Sequence, residues 1–107
     1  MDNTKLTQNL ALKISPALVV DVVSNYYQIR KTEIKSVSRK ESIATARQVA
    51  MYIMRMVLKM KLQEVAVFLR RKDHTTIIHG VEKISHKILT NENFKKEVDT
   101  IILNLNR

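Results

Sequence analysis

Residues 62–84 read LQEVAVFLRRKDHTTIIHGVEKI, and this stretch decides the fold. Its first part repeats apolar residues at helical spacing for about two turns. Arg70, Arg71 and Lys72 then offer nothing to bury, and Asp73 is a typical N-cap for a following helix. The stretch therefore predicts a short helix, a tight exposed turn and a second helix, the order of a helix-turn-helix.

The predicted second helix has two chemically different sides. At about 100° per residue, its apolar residues Ile77, Val81, Ile84 and Ile88 face one way, and its polar residues Thr75, Thr76, His79, Lys83 and His86 face the other. Short polar side chains can reach base edges in the major groove, and the free N–H groups at a helix start attract phosphate. The pattern favours a helix that reads nucleic acid.

The rest of the chain predicts a single helical domain. It has 107 residues, 45% of them apolar, with one Gly and one Pro, too few turn residues for a many-stranded sheet protein. Because there is no Cys, a disulfide framework and a thiolate metal site are excluded. We expect an all-α, compact multi-helix domain over residues 15–107, with residues 1–14 as a connector or the remnant of a linker helix.

Three more helices and one isolated turn complete the predicted elements. Ser15 and Pro16 indicate a helix start; residues 32–35 predict a single turn, residues 42–59 a long helix, and the residues from Glu92 a last helix. Their predicted buried stripes are Val19, Val22, Val23 and Tyr26 in the first helix, Ile43, Ala46, Ala50, Ile53 and Val57 in the long helix, and Phe94, Val98, Ile101, Ile102 and Leu105 in the last.

All of the net charge lies in one central segment. The chain carries +9, with 19 basic and 10 acidic residues, and residues 30–72 hold 12 of the basic but only 3 of the acidic ones. Within this segment Arg47, Gln48 and Arg55 are predicted to share a side of the long helix away from its apolar seam. Such a basic face indicates a polyanionic partner.

Membrane insertion is not indicated by the sequence. The longest apolar run, residues 49–54, falls far short of the roughly 20 residues of a spanning helix. The N-terminus has neither the basic start nor the long apolar stretch of a signal peptide. We therefore expect a cytoplasmic protein.

Two motifs resemble the C-terminal DNA-binding domain of DnaA, the bacterial chromosomal replication initiator. They are residues 72–79, KDHTTIIH, and Arg39 followed by residues 42–52, SIATARQVAMY, at the family's spacing without gaps. The resemblance covers residues 15–107. The chain departs from the family pattern at Thr45 and Ala46, where Arg-Pro is usual, and at Arg70 and Arg71, where Gly-Gly is usual.

The resemblance implies a function and a set of contacts. The partner would be double-stranded DNA at the DnaA box, a site of the TTATNCACA type, bound at the replication origin by a monomeric, Trp-repressor-like domain that serves the initiation and regulation of replication. The implied base contacts are Arg39 in the minor groove and Lys72, Asp73, His74, Thr75 and Thr76 in the major groove. The expected phosphate contacts are Arg47, Gln48, Arg55, Arg70, Arg71, His79 and Lys83.

The resemblance also implies that this domain needs no cofactor and is not an enzyme. ATP is expected only for the AAA+ module of a full-length DnaA, since these residues contain no Walker-type phosphate-binding motif. The implied location is the nucleoid, and replication regulators are possible partners.

Three alternatives to this interpretation stay open. A metal site built on His74, His79 and His86 with Asp73 is disfavoured because His74 and His79, five residues apart, project from different sides of a helix. A helix-turn-helix transcription regulator with another operator is the closest alternative. The third is a module for acidic phospholipid that uses the basic helix at 42–61.

Overall fold

The computed structural model describes residues 14–106, which form six α-helices and no strand. In chain order they are α1 (Pro16–Tyr27), α2 (Lys31–Ile34), α3 (Glu41–Met56), α4 (Leu62–Phe68), α5 (His74–Thr90) and α6 (Glu92–Leu105). The predicted all-α class and the helix-turn-helix order of α4 and α5 are confirmed. Residues 1–13 of the predicted connector lie outside the described residues.

Helix α1 begins as the sequence predicts but buries a different stripe. The Ser15 Oγ accepts a hydrogen bond from the Leu18 N–H at 3.2 Å, and Pro16 occupies the first turn. Val19 and Val23 are buried as predicted, whereas Tyr26 is 39% exposed. The prediction for Tyr26 was wrong because α6 also covers α1, and the neighbouring Tyr27 is the tyrosine that turns towards α6.

Helix α3 is the centre of the domain and contacts α1, α2, α4 and α5. The predicted seam residues Ile43, Ala46, Ala50 and Ile53 are buried, and Val49, Met51 and Met54 are buried with them. The helix ends at Met56, earlier than predicted. Lys59 adopts a left-handed φ of 60° and the chain turns away, so Val57 is 39% exposed instead of continuing the seam.

The last two helices meet at a shared residue. Asn91 ends α5, and its Oδ1 accepts a hydrogen bond from the Phe94 N–H at 3.0 Å, which caps the start of α6. Phe94, Val98, Ile101 and Leu105 of α6 are buried and Ile102 is partly buried, as the sequence predicts. Helix α6 packs on α1 and α5 and closes one side of the core around α3.

Candidate nucleic-acid interface

The turn between α4 and α5 is a Schellman motif with an arginine at the position that usually holds glycine. The Arg71 N–H donates to the Ala66 carbonyl at 2.8 Å, and the Arg70 N–H donates to the Val67 carbonyl at 3.2 Å. Arg70 has a φ of 57°, in the left-handed region that L side chains disfavour. The turn therefore forms without glycine, at a cost in backbone strain.

Helix α5 begins with a side-chain cap. The Asp73 Oδ1 accepts a hydrogen bond from the Thr75 N–H at 2.9 Å. This backbone hydrogen bond is the main cause that lowers the pKa of Asp73, so the carboxylate is charged at neutral pH. Asp73 thus fixes the first turn of α5 and stays fully at the surface.

The two sides of α5 are those that the sequence predicts. Ile77 and Ile84 are buried, and Val81 and Ile88 pack partly buried against the core. Thr75, Thr76, His79, Lys83 and His86 are exposed, as are Lys72 and His74 at the start of the helix. The first turns of α5 therefore offer polar side chains to solvent.

The second part of the candidate interface is the loop between α2 and α3, residues 35–40. Arg39 is exposed at its end. The loop holds itself by serine hydrogen bonds: the Ser36 Oγ donates to the Glu33 carbonyl at 2.6 Å, and the Ser38 Oγ accepts from the Lys40 N–H at 3.3 Å. Serine hydrogen bonds thus hold the backbone around Arg39, and its side chain is exposed.

Arg47 does not lie on an exposed basic face, so its predicted position is wrong. Its side chain is 8% exposed, and its guanidinium donates to the carbonyls of Ile34 at 2.7 Å, Ser38 at 3.1 Å and Glu33 at 3.3 Å. Burial, followed by the nearby charge of Arg71, lowers the pKa of Arg47. The carbonyl oxygens at the end of α2 need donors, and the Arg47 guanidinium supplies them.

Arg55 and Arg71 also use their guanidiniums within the fold. The Arg55 Nη1 donates to the Met60 carbonyl at 2.7 Å and holds the connection between α3 and α4. The Arg71 Nε donates to the Leu69 carbonyl at 3.2 Å, and its Nη2 donates to the Ser36 carbonyl on the Arg39 loop. Both residues are partly exposed, so the predicted exposed turn at residues 70–72 is seen for Arg70 and Lys72 and only in part for Arg71.

Comparison with known proteins places this geometry in a family. The family model described as "Bacterial dnaA protein helix-turn-helix" matches residues 16–84, more than half of the chain. The chain belongs to the bacterial DnaA helix-turn-helix family. It is 32% identical over 89 residues to the chromosomal replication initiator protein DnaA of Lachnoclostridium phytofermentans, an alignment that covers 83% of this chain and 20% of that protein.

A solved structure has the same fold. The crystal structure of a DNA replication initiation factor superposes on this domain with a TM-score of 0.78 and 28% sequence identity, over 96% of this chain and 31% of that one. The DnaA-family domain thus spans less than a third of the length of the relatives it matches.

In this DnaA-family domain, the residues predicted to contact bases are all exposed. Lys72, Asp73, His74, Thr75 and Thr76 are contiguous at the start of α5, and Arg39 lies on the loop that Arg71 ties to the turn before α5. Among the predicted phosphate contacts, Arg70, His79 and Lys83 are exposed, Gln48, Arg55 and Arg71 are partly exposed, and Arg47 is buried.

The internal roles of the three arginines were missed from the sequence. Their partners are backbone carbonyls of loops, and carbonyls carry no signal in a one-letter sequence. For Arg47 alone a signal exists: it directly follows Ala46 of the apolar seam, and Ile43 and Ala50 lie one turn away on either side. That position lies close to the buried side of α3, where a charged group needs hydrogen-bond partners.

Two further findings bear on the alternatives. Within residues 14–106 no cluster of three or more His, Cys, Asp or Glu side chains is placed to hold a metal ion, and no helix there is long and apolar enough to cross a membrane. The apolar side of α3 lies in the domain core. Helix α3 therefore cannot present that side to a lipid surface while the domain is folded.

Proposed function

We propose that this domain binds double-stranded DNA at DnaA boxes of the TTATNCACA type and so serves the initiation and regulation of replication at an origin. The observation that carries the proposal is the start of α5, where a capped first turn presents a contiguous exposed set of polar side chains beside a basic loop. Membership of the DnaA helix-turn-helix family supports the same conclusion.

The proposed major-groove contacts come from Lys72, Asp73, His74, Thr75 and Thr76. A threonine can hydrogen-bond a base edge and place its methyl group against that of thymine, and Lys72 can reach the guanine acceptors. The Asp73 Oδ1 accepts from the Thr75 N–H in the cap, and the exposed carboxylate keeps lone pairs that can accept from the amino group of cytosine. Short side chains at the helix start allow the backbone to enter the groove.

The proposed minor-groove contact is Arg39. Its side chain is exposed, and serine hydrogen bonds hold the loop that carries it. An arginine in the narrow minor groove of an A·T-rich segment responds to groove width and to the strong negative potential there. The TTAT half of the expected site provides such a segment.

Fewer residues are proposed to contact phosphates than the number of basic residues in the chain suggests. Arg70, His79 and Lys83 have exposed side chains, and Gln48 and Arg55 keep part of their surface accessible. Arg47 is removed from this set because its guanidinium is buried and bonded to three carbonyls. These contacts would set affinity and register and would make binding salt-dependent.

The wider setting is part of the same proposal. We expect the domain to bind as a monomer on the nucleoid, without a cofactor, and to leave ATP chemistry to the AAA+ module of a full-length DnaA. Acidic phospholipids and replication regulators are candidate partners of the remaining surfaces.

Selection from a pool of randomised duplex DNA with the purified domain tests the function. Recovery of a TTATNCACA-like motif is the expected result. A different reproducible motif would favour a transcription regulator with another operator. No enriched motif, together with binding to vesicles that contain acidic phospholipid, would overturn the proposal in favour of the membrane alternative.

A further inference from the structure

Two arginines from different elements hold the backbone that leads to Arg39. In residues 33–38 four carbonyls accept hydrogen bonds from guanidinium groups: those of Glu33, Ile34 and Ser38 from Arg47 of α3, and that of Ser36 from Arg71. Arg71 itself belongs to the turn of the helix-turn-helix. The loop is thus bound on one side to the helix at the centre of the core and on the other to the start of α5.

Partial burial of the Arg71 guanidinium costs free energy, which its hydrogen bonds must offset. Its side chain is partly buried beside a second arginine, and burial lowers its pKa. A fully exposed guanidinium would keep its hydration and avoid its neighbour. The forked geometry of Nε to the Leu69 carbonyl and Nη2 to the Ser36 carbonyl instead joins the turn to the loop with one rigid, planar group.

We infer that Arg71 is a positioning residue, which fixes Arg39 relative to the first turn of α5 so that minor-groove and major-groove contacts are made in one register. The inference rests on the proposed function. It adds the residue that joins the Arg39 loop, proposed to read the minor groove, to α5, proposed to read the major groove. Arg71 stands two residues before Asp73 and bonds to Ser36, three residues before Arg39, so a single side chain spans the two elements.

A phosphate contact by Arg71 would have different consequences. Such a contact carries no sequence information, so its loss would weaken binding to every duplex alike and reduce the salt slope by about one unit. Lysine would replace the charge in that role. Lysine cannot replace the fork, because its single ammonium group cannot hold the Leu69 and Ser36 carbonyls in the same fixed plane.

The experiment measures binding by fluorescence anisotropy for four duplexes and six proteins. The duplexes are a TTATNCACA box, the box with A·T pairs of its TTAT half changed to G·C, the same pairs changed to inosine·cytosine, and the box with its CACA half scrambled. Inosine·cytosine lacks the minor-groove amino group that distinguishes G·C from A·T, so it isolates minor-groove reading. The proteins are wild type, Arg39→Ala, Arg71→Ala, Arg71→Lys, the double variant Arg39→Ala with Arg71→Ala, and the control Arg70→Ala.

We expect wild type to prefer the inosine duplex over the G·C duplex by about fivefold or more, and we expect Arg39→Ala, Arg71→Ala and Arg71→Lys to lose that preference. The same three variants should keep their preference for CACA over the scrambled half. Arg70→Ala, an adjacent exposed arginine without a bond to the loop, should weaken all four complexes equally. The double variant Arg39→Ala with Arg71→Ala should lose no more discrimination than either single variant.

Four results would overturn the inference. Retained minor-groove preference in Arg71→Ala would show that Arg71 does not position Arg39. Rescue of that preference by Arg71→Lys would show that the positive charge alone is needed. Loss of both preferences together would show a general structural defect, which thermal unfolding of the same samples would report independently. If wild type itself discriminates among none of the duplexes, the proposed function fails and the positioning role fails with it.

Discussion

Gly80 of α5 lies directly on Met51 of α3: a Cβ atom on Gly80 would come within 2.5 Å of the Met51 Sδ and 3.4 Å of the Gln48 Cγ. Gly80 is buried at this crossing, and Met51 is 2% exposed, so neither side has spare room. The single glycine of the chain therefore serves helix packing. By letting α5 approach α3 closely, it fixes the orientation of the helix that carries His74, Thr75 and Thr76.

Gly80→Ala should destabilise the domain in spite of the better helix propensity of alanine. Propensity favours alanine by up to about 1 kcal/mol, whereas forcing an extra methyl group into a filled core costs about 1–3 kcal/mol. We expect a net loss of about 1 kcal/mol in the free energy of unfolding, measured by urea denaturation. In a Met51→Ala background the same change should become stabilising; a stabilising effect in the wild-type background would contradict the packing role of Gly80.

Arg70→Gly should stabilise the fold. Arg70 holds a left-handed φ of 57° at the C′ position of a Schellman motif, a conformation that costs an L-residue about 1–2 kcal/mol. Glycine removes this strain but adds freedom to the unfolded chain, so the expected gain is about 0.5–1 kcal/mol in thermal or urea unfolding.

Arg70→Ala provides the control for that substitution. It removes the same charge but keeps the Cβ atom, so it should leave stability near that of wild type. Both variants should lower DNA affinity to the same degree, because both remove one exposed cation. Equal stabilisation by alanine and glycine would show that charge repulsion, not backbone strain, sets the effect.

The sequence predicted most of the structure wherever a helix has one buried and one exposed side. Ile77 and Ile84 are buried and Thr75, Thr76 and His79 exposed because their spacing matches the helical period over more than four turns. Boundaries were less accurate. Helix α3 ends at Met56, and Lys59 then takes a left-handed conformation that no sequence pattern around it indicates.

The exposure of the residues proposed to read bases was predicted correctly, whereas the exposure of Arg47 was not. Exposed residues at a helix start follow from periodicity and capping, which are local. The buried position of Arg47 depends on carbonyls at residues 33–38, which tertiary packing brings under α3. Periodicity treats any arginine off the apolar seam as solvent-exposed, and that assumption fails where a short helix ends against the neighbouring helix.

Tyr27→Phe should destabilise the junction of α1 and α6. The Tyr27 hydroxyl donates to the Glu97 Oε2 at 2.5 Å, a contact between residues 70 positions apart. Because the acceptor is a carboxylate, its loss should cost about 1 kcal/mol or somewhat more. Tyr26→Phe is the matched control: the adjacent Tyr26 side chain is exposed, so its variant should unfold like wild type.

The same contact predicts a loss of stability at alkaline pH. Burial, and then the hydrogen bond and charge of Glu97, raise the pKa of Tyr27 above its ordinary value of about 10. The folded state therefore holds the phenol proton more tightly than the unfolded chain does, and stability is complete below about pH 10 and decreases above it. Wild type and Tyr27→Phe should converge in urea midpoint as the pH rises through this range; parallel profiles would contradict the shift.

Substitutions of Asp73 should separate its cap from its proposed base contact. Asp73→Ala removes the acceptor for the Thr75 N–H and should lower the melting temperature, whereas Asp73→Ser keeps a capping oxygen and should melt near wild type. Because the pKa of Asp73 is lowered in the folded state, its contribution is present at neutral pH and lost as the pH falls through that lowered pKa. If Asp73→Ser melts normally and keeps full discrimination in the CACA half, Asp73 acts as a cap only.

His74→Ala should remove sequence discrimination with little effect on folding. His74 is exposed in the first turn of α5 and has no role in the core, so the melting temperature should change little. If its imidazole meets a base edge, the preference for a TTATNCACA duplex over a scrambled one should fall by about 1–3 kcal/mol in anisotropy titrations. His86→Ala is the matched control, an exposed histidine three turns further along the same helix, and should keep the full preference. Equal effects of the two substitutions would remove His74 from the proposed base contacts.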